Sequence, residues 1–92
     1  MAAITVQLHT AFRKKLDRDC VSLDAATPAD ALAALEKMFG EKFTALLCDS
    51  SGEIKSHYMF ILNGEVLDRA QLKKTKLKNG DSLSIFAPVG GG

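Results

Sequence analysis

The sequence predicts an α+β fold in which a mixed sheet of about five strands packs against one main helix. The chain has 92 residues and a mass of 9.9 kDa, which suits one domain with a single core and excludes two. Short segments of alternating apolar and polar residues flank one segment whose apolar residues recur at helical spacing. Such a chain satisfies the layer rule when the helix covers one face of the sheet.

The first two predicted strands form a hairpin. Apolar and polar residues alternate over about residues 3–10, which is typical of a half-buried strand. A second alternating run at residues 20–23 follows closely enough to fold back on the first. Residues 11–19, which include three consecutive basic residues, are predicted to form a polar loop between them.

The main helix is predicted over residues 28–39 from its ends and its apolar face. Thr27 can accept a hydrogen bond from a free amide of the first turn, and Pro28 suits the first helical position. Gly40 easily adopts the left-handed backbone that commonly follows a helix. Four apolar residues are spaced to share one face, namely Leu32, Leu35, Met38 and Phe39.

Three further strands are predicted in the second half of the chain. Residues 41–56 combine a short helical turn with turn-forming residues. Asn63-Gly64 is a strong hairpin signal between two apolar runs, and a turn at residues 79–81 precedes the last strand. The predicted strands cover residues 57–62, 66–67 and 82–86.

The predicted domain spans residues 1–87, and residues 88–92 form a flexible tail. Pro88 cannot donate a hydrogen bond to a strand ladder, and the three glycines at the end bring no side chains to pack. Placing the last strand beside the first puts the two terminal strands in the centre of the sheet. This arrangement is the ubiquitin-like β-grasp fold.

The end of the chain carries an ordered set of short features. They are Gly80-Asp81, an apolar strand from Leu83 to Phe86, Pro88-Val89, the small residue Gly90 and finally Gly91-Gly92. This order resembles the end of the MoaD and ThiS sulfur carriers, particularly the small subunit of molybdopterin synthase. Residues 60–65 also resemble the family's strand and Asn-Gly turn. Ala87, where these subunits often have proline, and the long 41–56 region depart from the family pattern.

The resemblance implies a sulfur carrier that has no catalytic site of its own. It would act as a co-substrate or as the small subunit of a sulfurtransferase complex, molybdopterin synthase. The Gly92 carboxyl would be adenylated and then converted to a thiocarboxylate, because a carboxylate must be activated before a sulfur nucleophile can attack it. Gly90 and Gly91 lack a Cβ atom and would thread a narrow channel of the partner.

Two enzymes are the partners that the resemblance implies. The sequence has no Walker-type phosphate-binding motif, so no cofactor is expected on this chain, and a ubiquitin-activating-type adenylating enzyme would use the ATP. The second partner is the large subunit of molybdopterin synthase, or an equivalent sulfur-acceptor enzyme, whose active site receives the tail.

Phe86 is predicted to contact a partner together with Pro88 and Val89. On an alternating strand, Phe86 points away from the core-facing residues, so this large aromatic side chain would be exposed where the tail begins. The alternative is that Phe86 covers a second small apolar cluster beneath residues 41–56.

Charge, hydropathy and cysteine usage exclude several function classes. Twelve basic and eleven acidic residues give a net charge of +1, which excludes a bulk polycation that binds nucleic acid. The longest apolar run, residues 58–62, is far shorter than the ~20 residues of a membrane helix. Cys20 and Cys48, without a signal peptide, predict reduced thiols in the cytoplasm. Their spacing, and that of His9 and His57, matches no metal-binding motif, so no metal is expected.

A lysine-rich connector precedes the last strand and contains Lys73, Lys74, Lys76 and Lys78. Its charge either guides an acidic partner toward the tail or belongs to a solvated connector that protects a sheet edge.

Several functions share an activatable diglycine end. The sulfur could serve thiamin, cysteine or tungsten-cofactor synthesis instead of molybdopterin. A protein modifier would join Gly92 to target lysines through isopeptide bonds. In a pure interaction domain, the glycines would be an incidental end.

Overall fold

The computed structural model describes residues 1–9, 11–55 and 58–86. It contains five strands, three α-helices and one 3₁₀ helix within these segments. In chain order they are β1 (Ala2–Leu8), α1 (Ala11–Leu16), β2 (Cys20–Ala25), α2 (Pro28–Phe39), α3 (Glu41–Leu47), β3 (Met59–Leu62), β4 (Glu65–Leu67), the 3₁₀ helix (Arg69–Gln71) and β5 (Ser82–Phe86).

The five strands form one mixed sheet in the order β2-β1-β5-β3-β4. β1 and β5 are parallel, with Val6 beside Leu83 and Leu8 beside Ile85, and every other pair is antiparallel. The first and last strands are therefore neighbours inside the sheet, which confirms the predicted β-grasp arrangement. The division into a domain at 1–87 and a tail at 88–92 stays a prediction, because it falls on residues outside those described.

Helix α2 covers one face of the sheet and has the predicted ends. The Thr27 hydroxyl accepts a hydrogen bond from the Asp30 amide at 3.2 Å, and Gly40 has a φ of 65°. Leu32 and Leu35 are buried, but the prediction that Met38 shares their face is wrong, because Met38 is 50% exposed. Met38 follows Leu32 by six residues. At about 100° per residue, its side chain is turned by about 120° from that of Leu32 around the helix axis, away from the sheet.

The prediction of a polar loop at residues 11–19 is wrong over its first six residues, which form helix α1. Phe12 and Leu16, four residues apart on one helix face, are both buried. The Phe12 ring lies 5.4 Å from the Phe43 ring and 5.1 Å from the Tyr58 ring, measured between centroids. Three basic residues separate Phe12 from Leu16 in the sequence. The apolar pattern of this helix is therefore too short to predict it.

Residues 41–55 resolve into a helix and a tight loop. The predicted helical turn is α3, which buries Phe43 and Leu47. Beyond it, Cys48 and Ile54 form an isolated antiparallel bridge. The Asp49 carboxylate accepts hydrogen bonds from the Ser51 amide at 2.9 Å and the Ser51 hydroxyl at 2.6 Å, which closes the loop.

The hairpin between β3 and β4 has the predicted Asn63-Gly64 turn, and both residues have positive φ, 50° and 88°. The predicted strand at residues 57–62 begins later, at Met59, and residue 57 lies outside the described segments.

Cys20 and Cys48 are free thiols. Within the described segments, none of the helices has both the length and the apolar character needed to cross a membrane.

Candidate functional site

The two faces of the sheet differ in what covers them. On β5, Leu83 and Ile85 are fully buried on the helix side. Ser82 and Ser84, which alternate with them, lie on the opposite face and are partly exposed. Among the described residues, Thr5 and Gln7 of β1, which pair with Ser82 and Ser84, are likewise partly exposed, and we call this second face the open face.

An apolar strip runs across the open face beside the end of β5. Phe60 is 1% exposed and points into the core, so its neighbours Met59 and Ile61 lie on the open face, where both are partly exposed. Ile61 pairs in register with Val66 of the edge strand β4, and Val66 is 58% exposed. We call Met59, Ile61 and Val66 the open apolar strip. It is a surface suited to noncovalent docking of a protein partner.

The strip lies directly beside the strand that leads to the predicted tail. Met59 pairs with Phe86, and Ile61 pairs with Ser84. Beyond β5, the open face becomes polar, because Gln7 of β1 pairs with Ser84 and with the exposed Cys20 of β2. Among the described side chains, the large apolar residues of the open face therefore lie on β3 and β4.

Of the sequence-predicted site residues, only Phe86 lies within the described segments, and only its backbone is described. Its backbone pairs with Met59, which places residue 86 at an open-face position of the register; whether its side chain contacts a partner stays a prediction. The predicted roles of Pro88, Val89, Gly90, Gly91 and Gly92 lie outside the described residues.

The open apolar strip was missed as a site by sequence reasoning, although the sequence contains a signal for it. Residues 58–62 are all apolar, whereas a strand with one solvated face normally alternates. Such a run predicts either a strand covered on both faces or a strand whose second face binds something. Met59 and Ile61 are partly exposed in the described part of the chain, which argues against a strand that is fully covered on both faces.

The lysine-rich connector lies at the opposite end of the sheet from the end of β5. The Leu77 amide donates to the Ala26 carbonyl at 2.9 Å, and the Gly80 amide donates to the Ala3 carbonyl at 2.8 Å. The connector is therefore tied to the start of β1, and β5 runs from there for about 13 Å before it ends. This position does not favour the hypothesis that the connector guides a partner toward the tail.

The pKa values of Cys48 and Asp49 are shifted by burial, nearby charges and hydrogen bonds. Burial raises the pKa of the Cys48 thiol, and the nearby carboxylates of Glu36 and Asp49 raise it further, so this thiol stays protonated at neutral pH. Hydrogen bonds from the Ser51 hydroxyl and amide lower the pKa of Asp49. In the described segments, no three His, Cys, Asp or Glu side chains come close enough together to hold a metal ion.

Comparison with known proteins adds an independent observation to this geometry. The sequence profile of the ThiS family matches residues 6–92. The chain belongs to the ThiS family. This ThiS-family chain is 36% identical to small archaeal modifier protein 3 of Haloferax volcanii over 69 residues, which are 75% of this chain and 73% of that protein.

Solved structures share the fold of this ThiS-family chain. The crystal structure of SAMP1 from Haloferax volcanii has a TM-score of 0.82 at 26% identity, over 99% of this chain and 100% of that one. A chain in the complex of subunits 1 and 2 of the molybdopterin-converting factor from Helicobacter pylori has a TM-score of 0.65 at 22% identity, over 98% and 99%. The second likeness concerns the fold alone. The chain is thus a ubiquitin-like member of the sulfur carriers and modifiers, which confirms the resemblance to MoaD and ThiS.

Proposed function

We propose that this chain carries sulfur as a thiocarboxylate on Gly92 and donates it in molybdopterin biosynthesis. The observation that supports this function is the position of the open apolar strip. It lies in register beside Phe86, after which residues 87–92 continue toward the reacting carboxyl. An enzyme that docks on the strip holds the start of the tail next to its own surface.

The chemistry begins with activation of the Gly92 carboxylate. One of its oxygens attacks the α-phosphorus of ATP on the activating enzyme, pyrophosphate leaves, and an acyl adenylate forms. Sulfide then attacks the carbonyl carbon, the C–S bond forms, AMP leaves with the electron pair of the broken C–O bond, and the thiocarboxylate remains. This chain contributes the carboxyl group and the docking surface, and the activating enzyme binds the nucleotide.

Docking offsets the free energy needed to order the tail in a channel. Fixing the backbone of one residue costs roughly 1–2 kcal/mol, so residues 87–92 together cost roughly 6–12 kcal/mol. A protein interface of the usual size buries about 800 Å² on each partner. The open apolar strip supplies the apolar centre of such an interface, and Gly90 and Gly91 let the chain pass where a side chain would not fit.

The acceptor proposed for the sulfur is the large subunit of molybdopterin synthase acting on a precursor of molybdopterin. The ordered features from Gly80-Asp81 to Gly91-Gly92 support this choice, as does the fold shared with the molybdopterin-converting factor. The cytoplasm is the compartment that we propose, because free Cys20 and Cys48 suit a reducing environment.

The deciding experiment is the intact mass of the chain isolated from its own cells. We expect a fraction whose mass shows one sulfur in place of one oxygen, located at Gly92 by fragmentation. Incubation of that fraction with the large subunit and a molybdopterin precursor should return the carboxylate and transfer the sulfur. A carboxylate at Gly92 in every preparation would contradict the proposal.

Conjugation to proteins is a second candidate function, and one observation favours it. The relative that is 36% identical to this chain is named a small archaeal modifier protein. The same cell extract distinguishes the two functions, because a modifier leaves Gly-Gly remnants on target lysines after proteolysis. Thiocarboxylate without such remnants supports the carrier. Thiocarboxylate that the molybdopterin precursor does not discharge points to thiamin, cysteine or tungsten-cofactor synthesis.

A further inference from the structure

A short basic segment lies at the end of the sheet where β5 ends. Leu8, the last residue of β1, pairs with Ile85 of β5. The Leu8 amide also donates to the Asp19 carbonyl at 2.8 Å. The chain therefore leaves the sheet at the end of β1, which is the strand next to β5, and it does so at the same end of the sheet where β5 ends.

Helix α1 holds this segment against the core by its apolar side. Phe12 is fully buried, and its ring contacts the Tyr58 ring. Tyr58 directly precedes Met59, the register partner of Phe86. Because the apolar side of α1 faces inward, its basic residues project into solvent at the same end of the sheet.

The exposed residues of this segment carry a local positive charge. Four are basic, namely Arg13, Lys14, Lys15 and Arg18, and we call them the basic surface. With two aspartates, residues 13–19 have a net charge of 4 − 2 = +2, whereas the whole chain has +1. Arg13 Nε lies 2.8 Å from Asp19 Oδ1, but these side chains are 67% and 77% exposed. An ion pair between side chains this exposed is weak, so Arg13 stays available to a partner.

We infer that the basic surface binds an acidic surface of the activating enzyme beside the channel that receives the tail. The inference rests on the proposed function. Six residues span at most about 20 Å when extended, so an enzyme that acts on Gly92 comes close to the end of β5 and therefore to the basic surface. Charges at the edge of a docking site accelerate association and fix orientation, while the apolar strip provides the buried centre.

The chemistry of the basic surface favours a protein over a nucleic acid. Single-stranded nucleic acids bind where basic residues alternate with exposed aromatic rings. In residues 11–19 the one aromatic side chain is Phe12, and it is buried against Phe43 and Tyr58. A surface hollow of about 670 Å³ is lined here by three basic residues, Arg13, Lys14 and Arg18, and by Asp17 and Asp19.

Charge reversal at the two ends of the sheet tests the inference. The variant Lys14→Glu with Lys15→Glu changes the basic surface, and Lys74→Glu with Lys76→Glu makes the same charge change in the connector. All four lysines are exposed. The probe is the adenylating enzyme of the same cells. It is purified by following the ATP–pyrophosphate exchange activity that appears only when this chain is added.

We expect the first variant to raise the KM for this chain about tenfold at low ionic strength, with kcat unchanged. The increase should shrink as salt screens the charges, and the connector variant should stay within about twofold of the unmodified chain. Equal effects of the two variants would overturn the inference, because only net charge would then matter. An unchanged KM with lost retention on immobilised RNA would overturn it in favour of nucleic acid.

Two controls keep the result interpretable. If the glutamates lower the unfolding midpoint, Lys14→Gln with Lys15→Gln removes the charge without reversing it, and a salt-dependent increase in KM is still required. If the unmodified chain supports no pyrophosphate exchange with any enzyme of its cells, the proposed function fails. If it is adenylated normally and the basic surface has no effect on KM, only this inference fails.

Discussion

Asn63 and Asp81 join the β3–β4 turn to the start of β5 through their side chains. Asn63 Nδ2 donates to Asp81 Oδ1 at 3.0 Å, and Asn63 Oδ1 accepts from the Ser82 amide at 2.9 Å. Asp81 Oδ2 accepts from the Lys78 amide at 2.7 Å. This link sets where β5 begins, and therefore which of its residues face the core and which face the open side.

Asp81→Asn is expected to lower the free energy of unfolding by about 1 kcal/mol at pH 7. The hydrogen bonds from the Lys78 amide and the Asn63 side chain lower the pKa of Asp81, so its ionised form stabilises the fold. That contribution is complete above the unfolded-state pKa of about 3.9 and is lost as pH falls through the lower folded-state value. Urea unfolding across acidic pH should show the stability difference between the two proteins shrinking as the pH falls below the unfolded-state pKa of about 3.9.

Asp24→Asn, at an exposed position of β2, is the matched control for that measurement. It makes the same chemical change and should leave the free energy of unfolding within about 0.5 kcal/mol at pH 7. A difference between Asp81→Asn and the unmodified chain that stays constant with pH would contradict the role assigned to the Asp81 carboxylate.

Ile61→Ala is expected to weaken docking of the activating enzyme. Ile61 lies at the centre of the open apolar strip, between Ser84 and Val66 in the register. Losing its side chain should raise the KM for this chain about tenfold in the adenylation assay. Met38→Ala removes a half-exposed side chain of similar size from helix α2 and should leave that KM unchanged. Equal KM values for the two variants would place the docking surface elsewhere.

Phe12→Ala is expected to lower the free energy of unfolding by about 3 kcal/mol, because it empties a fully buried site between Phe43 and Tyr58. Urea unfolding at neutral pH measures the loss. Arg13→Ala, at the next and exposed position, should cost under about 1 kcal/mol. Similar losses for the two variants would show that α1 is not held to the core through Phe12.

Removal of Gly91 and Gly92 is expected to abolish adenylation without loss of the fold. The core residues of the described segments end at Ile85, so the unfolding midpoint should change by no more than about 1 °C. Calorimetry and ATP–pyrophosphate exchange measure the two effects on one preparation. Full exchange activity after the deletion would rule out Gly92 as the reacting residue, and a large drop in midpoint would show that the fold depends on the tail.

Most of the fold could be predicted because its elements have local signals. Thr27, Pro28 and Gly40 mark the ends of α2, and Asn63-Gly64 marks a hairpin, since each acts on backbone geometry within a few residues. Helix α1 lacked such a signal. This helix is stabilised by packing of Phe12 against Phe43 and Tyr58, which are distant in sequence.

The candidate site could be predicted only in part. The ordered features around the end of β5 predict the family, and the profile match confirms it. The open apolar strip could not be located from the sequence, because a fully apolar run at residues 58–62 does not say which of its faces is covered. The pairing of β3 with β4 and β5 answers that question.

The sequence by itself determined the order of strands and helix, the family, and the expectation that chemistry occurs at Gly92. Tertiary structure alone decided that Met59, Ile61 and Val66 share one exposed surface, and that the residues around α1 stand near the end of β5 while the lysine-rich connector lies at the other end. Propensity and periodicity act between neighbours in sequence. Strand register and burial bring together residues far apart in the chain, so faces and ends of the sheet exist only once the chain has folded.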